Sequence, residues 1–311
     1  MTTLIQFKDI FKRYGSNLVL NNLNFGINEG DIFGIIGLSG SGKTTILNTL
    51  IGFIRANSGQ IIYKDQDISK NKKRIEQIAG FATQSCSFYQ KLTVEENLHY
   101  FGKLYNMKRE DIVKRIDELL PLVELQPTKK VLAKNLSTGM QRRLDIACAM
   151  IHHPQILILD EPTEDLDPVL RREILRLIRK INIEEGTTII ITSHLLNEIE
   201  SICSRIAILH KGKMIRSGTP AELKDMYTKN QEIHLRTYPG KYDQIITHLK
   251  RTGGITDATS QGNKIVIYTK DAEKVLHDIL ETLAVNKEKL IDIDVNRPSL
   301  EEVFAFFTKE K

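Results

Sequence analysis

The chain contains 311 residues, of which 41% are hydrophobic and 27% are charged, and its formal net charge is +5 at pH 7. This composition is typical of a soluble globular protein, and the length suits one large domain followed by a small one. A membrane-spanning pore is excluded, because no apolar stretch reaches the roughly 18–20 residues that cross a bilayer, and the N-terminus lacks a secretory pattern.

Cysteine usage and charge pattern exclude further classes. Cys86, Cys148 and Cys203 are widely spaced, which indicates reduced thiols of a cytoplasmic protein and neither a disulfide framework nor a metal site. No zinc-ligand spacing occurs, and the aromatic residues are not interleaved with a basic stripe. We therefore expect no nucleic-acid partner.

The first predicted elements are strands, and they lead to a phosphate-binding motif. Residues 3–11 and 18–27 have the pattern of an antiparallel edge layer. Residues 31–36 predict a buried strand, and residues 37–45 then read Gly-Leu-Ser-Gly-Ser-Gly-Lys-Thr-Thr, which fits the pattern G-x-x-x-x-G-K-[ST]. Apolar residues at helical spacing follow. A strand, a glycine-rich turn and a helix start together predict an anion cradle, to which Lys43 adds a positive charge and Thr44 a hydroxyl group for Mg²⁺.

In the middle of the chain, predicted strands that end in polar residues alternate with predicted helices. Gln84 follows an apolar run at 78–82, and residues 93–152 are predicted to be mostly helical. A second aliphatic run, at 156–160, ends in Asp160 and Glu161. At the end of a buried strand, Asp160 is placed to hold Mg²⁺ and Glu161 to polarise a water that attacks a terminal phosphate.

Two more strands complete the predicted core of the first domain. A β-branched run at 187–192 precedes His194, and strand character returns at 204–210 before a predicted hairpin at Gly212 and Lys213. Strands that alternate with helices predict a parallel core sheet covered by helices.

The pattern changes after Pro220. A short helix at 221–229 precedes strands and helices in the order βαββαβ, with a hairpin turn at Gln261, Gly262 and Asn263. This order predicts a small ferredoxin-like α+β module. Ser299 followed by Glu302 predicts a capped C-terminal helix. The predicted domains are therefore residues 1–220 and 221–311.

Five motifs in this order resemble the ATP-binding subunit of an ATP-binding-cassette (ABC) transporter. They are the phosphate loop, Gln84, the segment 136–141 (Leu-Ser-Thr-Gly-Met-Gln), the Asp160–Glu161 strand end and His194, with Tyr14 ahead of them. The resemblance covers residues 3–220. It implies an α/β P-loop NTPase fold of ABC type, with a RecA-like parallel core sheet, an antiparallel β layer and a helical subdomain at about 93–152.

The same resemblance implies a set of site residues. Glu161 is the implied general base, His194 the ligand of the γ-phosphate, and Gln84 a contact to Mg²⁺ or the attacking water. Mg²⁺ ligands are implied at Thr44, Gln84 and Asp160. Tyr14 is expected to stack on the adenine, and the full set of implied ATP contacts is Tyr14, Gly37, Ser39, Gly40, Ser41, Gly42, Lys43, Thr44, Thr45, Ser137 and Gly139.

The resemblance also implies partners and a location. Ser137 and Gly139 are expected to close on ATP bound by a second copy of the chain, in a head-to-tail dimer. Separate transmembrane permease subunits would contact the surface at about 88–98. We therefore expect a cytoplasmic protein that is peripheral on the cytoplasmic face of a membrane, and an ATPase whose hydrolysis is coupled to transport.

Departures from the family's commonest form leave alternatives open. Thr138 and Met140 replace a glycine and a glutamine, and Met140 with the C-terminal tail that begins at Arg297 and Pro298 resembles the drug-resistance exporters. Glu164 and Asp165 are acids where small residues are usual, and their repulsion would weaken closure. One alternative is a soluble, non-transport ABC ATPase of DNA repair or translation. The other, suggested by Thr138 and Glu164, is a regulatory ATP-binding module with low turnover.

Overall fold

The computed structural model describes residues 2–69, 71–226, 231–252, 254–262, 264–269, 271–296 and 299–309. The chain divides into two compact units, Met1–Pro220 and Ala221–Lys311. The predicted Asn263, Arg297 and Pro298 positions and the end of the helix predicted at 221–229 lie outside the described residues.

Ten strands and seven α-helices form the first unit. The strands are β1 (Thr3–Tyr14), β2 (Asn17–Asn28), β3 (Ile32–Ile36), β4 (Ser58–Tyr63), β5 (Gln66–Asp67), β6 (Ala79–Ala82), β7 (Ile156–Asp160), β8 (Thr188–Ser193), β9 (Arg205–His210) and β10 (Lys213–Gly218), as far as the described residues show. The helices are α1 (Lys43–Leu50), α2 (Lys72–Ile78), α3 (Val94–Leu104), α4 (Arg109–Leu122), α5 (Thr138–Met150), α6 (Pro168–Glu185) and α7 (Leu196–Ile202).

The core of this unit is a six-stranded sheet in the order β10-β9-β3-β8-β7-β6. Strands β9, β3, β8, β7 and β6 are parallel, and β10 pairs antiparallel with β9. Every residue of β3, β7 and β8 is buried. A parallel sheet covered on both faces requires such continuous apolar strands, and their carboxyl ends meet at one edge. The predicted parallel core sheet is confirmed.

A second, antiparallel sheet packs beside it in the order β2-β1-β4-β5. The rings of Phe7 and Phe25 stack at 4.2 Å between centroids, and those of Phe25 and Phe33 at 5.7 Å, which joins this layer to β3. Strands β1 and β2 extend further than predicted, because their pairing continues through several bulges to Tyr14 and Asn17.

The predicted helical block consists of α3, α4 and α5 with short turns between them. Thr93 and Glu96 form a capping box at the start of α3. Helix α5 lies on β6 so closely that a Cβ atom added to Gly80 would overlap the main-chain oxygen of Ala149. The strand that leads to Gln84 and the helix that follows Ser137 are therefore in backbone contact.

The second unit contains the predicted βαββαβ order. Its elements are α8 (Pro220–Asp225), β11 (Gln231–Tyr238), α9 (Tyr242–Thr252), β12 (Ile255–Gln261), β13 (Lys264–Thr269), α10 (Ala272–Val285), β14 (Lys289–Asn296) and α11 (Leu300–Lys309). The strands form one antiparallel sheet in the order β12-β13-β11-β14. This is the order of a ferredoxin-like sheet, and Ser299 and Glu302 form the predicted capping box.

None of the helices within the described residues is long and apolar enough to cross a membrane.

We predict that Gly80→Ala destabilises the protein by about 3 kcal/mol, because neither backbone at the β6–α5 contact can move away from the new methyl group. Urea unfolding followed by circular dichroism measures the effect. Gly186→Ala is the control: Gly186 has a φ of +64° and open space around it, so the substitution should cost only about 1 kcal/mol of left-handed backbone strain. A loss at Gly80 no larger than that at Gly186 would contradict the close contact.

Candidate functional site

The glycine-rich loop joins β3 to the start of α1. Two of its positions require glycine, one because a side chain would clash and one because of its backbone conformation. A Cβ atom on Gly37 would lie 2.6 Å from the carbonyl oxygen of Leu209. Gly42 has a φ of +109°, in the left-handed region that favours glycine. These constraints hold the loop in a tight curl around the N-terminus of α1, where unpaired N–H groups and the helix dipole favour an anion.

The polar groups of the loop fit a phosphate. Lys43 is only 6% exposed, and its Nζ donates to the Gly37 carbonyl oxygen at 3.0 Å. The Oγ atom of Ser41 is buried and has no hydrogen-bond partner within the described part of the chain. A buried ammonium group and an unpartnered buried hydroxyl group at a helix start are the donors that a triphosphate needs. Ser39, Gly40 and Thr44 are exposed at the same loop, and Thr45 is half-buried.

A neighbouring hairpin fixes this loop from outside. The Gly212 N–H, in the turn between β9 and β10, donates to the Ser41 carbonyl oxygen at 3.1 Å. The Gly212 carbonyl oxygen accepts from the Asn21 N–H at 2.8 Å. The turn thus ties the phosphate loop to β2 through main-chain hydrogen bonds.

Acidic groups follow β7 at the same edge of the core sheet. The Thr192 hydroxyl donates to Asp160 Oδ1 at 2.6 Å and accepts from the Glu161 N–H at 3.0 Å. Glu161 has a φ of +48°, so its side chain leaves the strand through a left-handed turn. One hydroxyl group therefore fixes both acids relative to β8.

Glu161 connects the phosphate loop with His194. Its Oε1 lies 3.3 Å from Lys43 Nζ, and its Oε2 lies 2.6 Å from His194 Nδ1. Because a carboxylate only accepts, Nδ1 carries the proton in this contact. Burial acts to raise the pKa of Glu161, but the hydrogen bond from His194 and the charge of Lys43 outweigh it and hold the pKa below its ordinary value.

Gln84 reaches this cluster through Glu164, a residue for which the sequence predicted no role inside the site. Its Nε2 donates to the carboxylate of Glu164. One ligand atom from each of Glu161, Glu164 and His194 lies within 4.8 Å of the others. Burial and the nearby Glu161 charge raise the pKa of Glu164. The sequence signal was the acid at 164, which was considered only as a source of repulsion between subunits.

Helix α5 holds the loop that carries Gln84. The Arg142 guanidinium donates to the carbonyl oxygens of Thr83 and Gln84, both at 2.9 Å. Asp145 Oδ1 accepts from the Ser87 N–H at 2.6 Å. Arg142 and Asp145 are both buried. Sequence reasoning missed these anchors, because nothing in the local pattern around Arg142 or Asp145 shows which main-chain groups their side chains reach.

The same helix begins at the segment predicted to face a second subunit. Ser137 is the N-cap of α5, and its Oγ accepts from the Met140 N–H at 3.3 Å. Thr138 is the first helical residue, a position that a β-branched side chain tolerates, so the departure from glycine here causes no backbone strain. Gly139 lies against α6, where an added Cβ atom would come within 2.9 Å of the Leu170 side chain.

Not all of the predicted site residues meet within one chain. Within residues 2–69 and 71–226, no hydrogen bond or ion pair joins Ser137 or Gly139 to the phosphate loop. Tyr14, at the end of the β1–β2 hairpin, is 46% exposed, and Lys12 Nζ lies 4.8 Å from its ring centroid. Its ring is thus accessible to a stacking partner.

Comparisons with known proteins agree with this geometry. Residues 20–164 match the family model described as ABC transporter, and residues 218–305 match the C-terminal domain of the ATP-binding protein DrrA1-3-like family. The chain is 32% identical over 307 residues to the linearmycin resistance ATP-binding protein LnrL of Bacillus subtilis (strain 168), covering 98% of each chain. It is 40% identical over 235 residues to the bacitracin transport ATP-binding protein BcrA of Bacillus licheniformis, covering 76% of each.

Solved structures give the same picture over about 70% of the chain. One is cbiO1 from Clostridium perfringens, part of the ABC transporter complex cbiONQ, with a TM-score of 0.67 and 26% identity over 72% of this chain and 91% of that chain. Another is the dimeric, post-hydrolysis ATP-binding cassette MJ0796 bound to ADP and Pi, with a TM-score of 0.61 and 28% identity over 70% of this chain and 98% of that chain.

The Asp145 anchor generates a pH prediction. Burial raises the pKa of Asp145 to about 6, against the opposing effects of the Ser87 hydrogen bond and the Arg142 charge. The folded state therefore holds this proton more tightly than the unfolded chain, and the stabilisation by protonated Asp145 is lost as the pH rises through about 6. Asp145→Asn keeps an oxygen acceptor for Ser87 and removes the titration. The full shift of the pKa from 3.8 to about 6 corresponds to about 3 kcal/mol, of which about half is already lost at pH 5. We therefore expect the free energy of unfolding of D145N relative to wild type to rise by about 1.5 kcal/mol from pH 5 to pH 8.

Urea unfolding at the two pH values measures this difference. Glu124→Gln is the control. Glu124 is an exposed carboxylate that pairs with Arg143, and Arg143 lies on α5 as Asp145 does. A difference between D145N and wild type that does not change with pH would contradict the buried ionisation of Asp145.

Proposed function

Because the chain belongs to the ATP-binding subunits of ABC transporters, and is an ATPase that powers transport, we propose a specific assembly and set of residue roles. Two copies bind head to tail around ATP, with the phosphate loop of one copy facing Ser137 and Gly139 of the other. The observation that carries the proposal is the cluster of Lys43, Glu161 and His194 at the phosphate loop, with distances of 3.3 and 2.6 Å to the central carboxylate.

Substrate binding exchanges the partners of the buried lysine. The Nζ atom of Lys43 lies 3.3 Å from Glu161 Oε1, which makes Glu161 its counter-ion within the chain. The β- and γ-phosphates carry more charge than one carboxylate and bind the ammonium group in its place. Glu161 then accepts the proton of the attacking water, while His194, oriented by Glu161 through Nδ1, donates from Nε2 to a γ-phosphate oxygen.

The donor set at the strand edge fits Mg²⁺. The Thr44 hydroxyl, the Asp160 carboxylate and the Gln84 amide oxygen are all oxygen ligands, which this hard cation prefers. Asp160 Oδ1 is used by Thr192, which leaves Oδ2 for the metal site. When bound, Mg²⁺ neutralises charge on the phosphates. Tyr14 stacks on the adenine through its accessible ring.

The second copy completes the site. The N-terminus of α5 carries partial positive charge, and it presents the Ser137 hydroxyl with the main chain of Gly139. These groups have no phosphate-loop contact within their own subunit among the described residues, so they suit a nucleotide held by the partner. The dimeric cassette with bound ADP and Pi among the similar structures supports this arrangement.

Transport requires further subunits. We infer separate transmembrane permeases that contact residues 88–98, next to the loop that Arg142 and Asp145 hold, and a location on the cytoplasmic face of the membrane. Export of a drug-like cargo is supported by two relatives that are named for linearmycin resistance and bacitracin transport. Residues 221–311 form an accessory domain in this proposal.

The role of Glu161 is tested by Glu161→Gln. This variant removes the proton acceptor but keeps the side-chain size and a hydrogen-bond acceptor for His194. Steady-state ATPase activity should fall about 100-fold or more, with ATP affinity within a few-fold of wild type. Unchanged turnover would show that another group is the base.

The dimer is tested by sedimentation of the same variant. With ATP and Mg²⁺, E161Q should form a dimer, because the nucleotide at the interface is no longer cleaved. Lys43→Ala is the matched control: it should lose ATP binding and remain a monomer under the same conditions. A purely monomeric E161Q at saturating ATP would contradict the sandwich arrangement.

A further inference from the structure

We propose that Glu164 is a positioning residue that orients the side-chain amide of Gln84, so that its oxygen faces the metal site. This inference rests on the proposed function, in which Gln84 contacts Mg²⁺. Nothing in the resemblance to the ABC family assigns a role inside the site to an acid at this position.

The chemistry of the contact determines the orientation of the amide. Gln84 has one nitrogen, which only donates, and one oxygen, which accepts hydrogen bonds and can bind a cation. Nε2 donates to the Glu164 carboxylate, and a carboxylate cannot donate in return. The amide nitrogen is therefore committed to Glu164, and Oε1 becomes the atom left for a metal ion or a water molecule. In the flipped orientation an N–H group would face the cation and would repel it.

The main chain of Glu164 and the main chain of Gln84 are each held by a further hydrogen bond, so the fold itself brings the two side chains together. The Glu164 N–H donates to the Glu161 carbonyl oxygen at 3.2 Å, which forms a turn directly after the strand end. The main chain at Gln84 is held by Arg142 through the 2.9 Å hydrogen bond to its carbonyl oxygen. The two side chains meet because two separate elements fix their backbones.

The contact between Gln84 and Glu164 determines the orientation of the amide and adds little to the stability of the protein. Gln84 and its loop neighbour Ser85 are exposed, and Glu164 is only half-buried. A contact at such a solvated position contributes little to the free energy of unfolding. Its loss should instead allow the amide to rotate, so that the productive orientation is only one of several that are populated.

The test compares three single variants by nucleotide binding. Glu164→Gln keeps the side-chain size, but its amide both donates and accepts, so it no longer determines which way Gln84 faces. Asp165→Asn is the matched control, because it removes the same charge one residue away, and Asn tolerates the left-handed φ of +60° at that position. Gln84→Ala removes the oriented group itself.

The readout is the affinity of each variant for a non-hydrolysable ATP analogue, measured by calorimetry across a series of Mg²⁺ concentrations and in EDTA. For E164Q we expect the half-saturating Mg²⁺ concentration to rise about three- to tenfold, while affinity in EDTA and the melting temperature stay unchanged. D165N should stay within twofold of wild type. Mn²⁺ in place of Mg²⁺, followed by electron paramagnetic resonance, should show the same order of metal affinity.

A double variant separates the failure of this inference from failure of the proposed function. Suppose that Gln84→Ala raises the half-saturating Mg²⁺ concentration and that adding Glu164→Gln to the Gln84→Ala variant raises it no further. The two residues then act as one unit and the proposal stands. If Q84A raises the half-saturating Mg²⁺ concentration but E164Q alone behaves like D165N, Glu164 does not orient Gln84 and only this inference fails. If Q84A itself leaves the Mg²⁺ dependence unchanged, Gln84 is not a metal contact. The inference about Glu164 and the proposed contact of Gln84 with Mg²⁺ then both fail.

Discussion

The buried ammonium group of Lys43 is the constraint around which the site is arranged. A charge with 6% exposure needs a counter-ion, and Glu161 supplies it at 3.3 Å. In the proposed mechanism this ion pair keeps Glu161 from acting as the general base until a triphosphate takes its place at Lys43. The proposed roles of Lys43 and Glu161 therefore couple the availability of the base to the presence of the substrate through one ion pair.

Helix α5 links the two sides of this chemistry. Its N-terminus carries Ser137, its next turn carries Arg142 and Asp145, and these two side chains hold the main chain on either side of Gln84. Because β6 and α5 are also in backbone contact at Gly80, the helix and the Gln84 loop form one unit. In the proposed dimer, a displacement of the helix start by the second copy would therefore be passed to Gln84 through this unit.

Sequence reasoning predicted the parts of the site that depend on local pattern. The phosphate loop, the strand ends at Asp160 and His194 and the βαββαβ order of the second unit follow from periodicity and short motifs. The contact from Gln84 to Glu164 and the anchors from Arg142 and Asp145 to residues 83–87 could not be predicted, because they join segments 58 to 80 residues apart. A sequence shows which groups are charged, but which backbone carbonyl a guanidinium meets depends on the packing of two elements. Strand lengths in the first sheet were underpredicted for the same reason: pairing with a neighbour, not propensity, extends β1 to Tyr14.

The turn at Gly212 has a practical consequence for anyone who labels this protein. Short hairpin turns are the usual choice for inserting a tag or a fluorophore. This one is bonded on one side to Ser41 and on the other to Asn21, so a probe placed there would report on a disturbed nucleotide pocket. At Gly186, at the C-terminal end of α6, no described atom beyond the adjacent residues lies within 4 Å of an added methyl group. A probe attached there would therefore disturb the surrounding structure less.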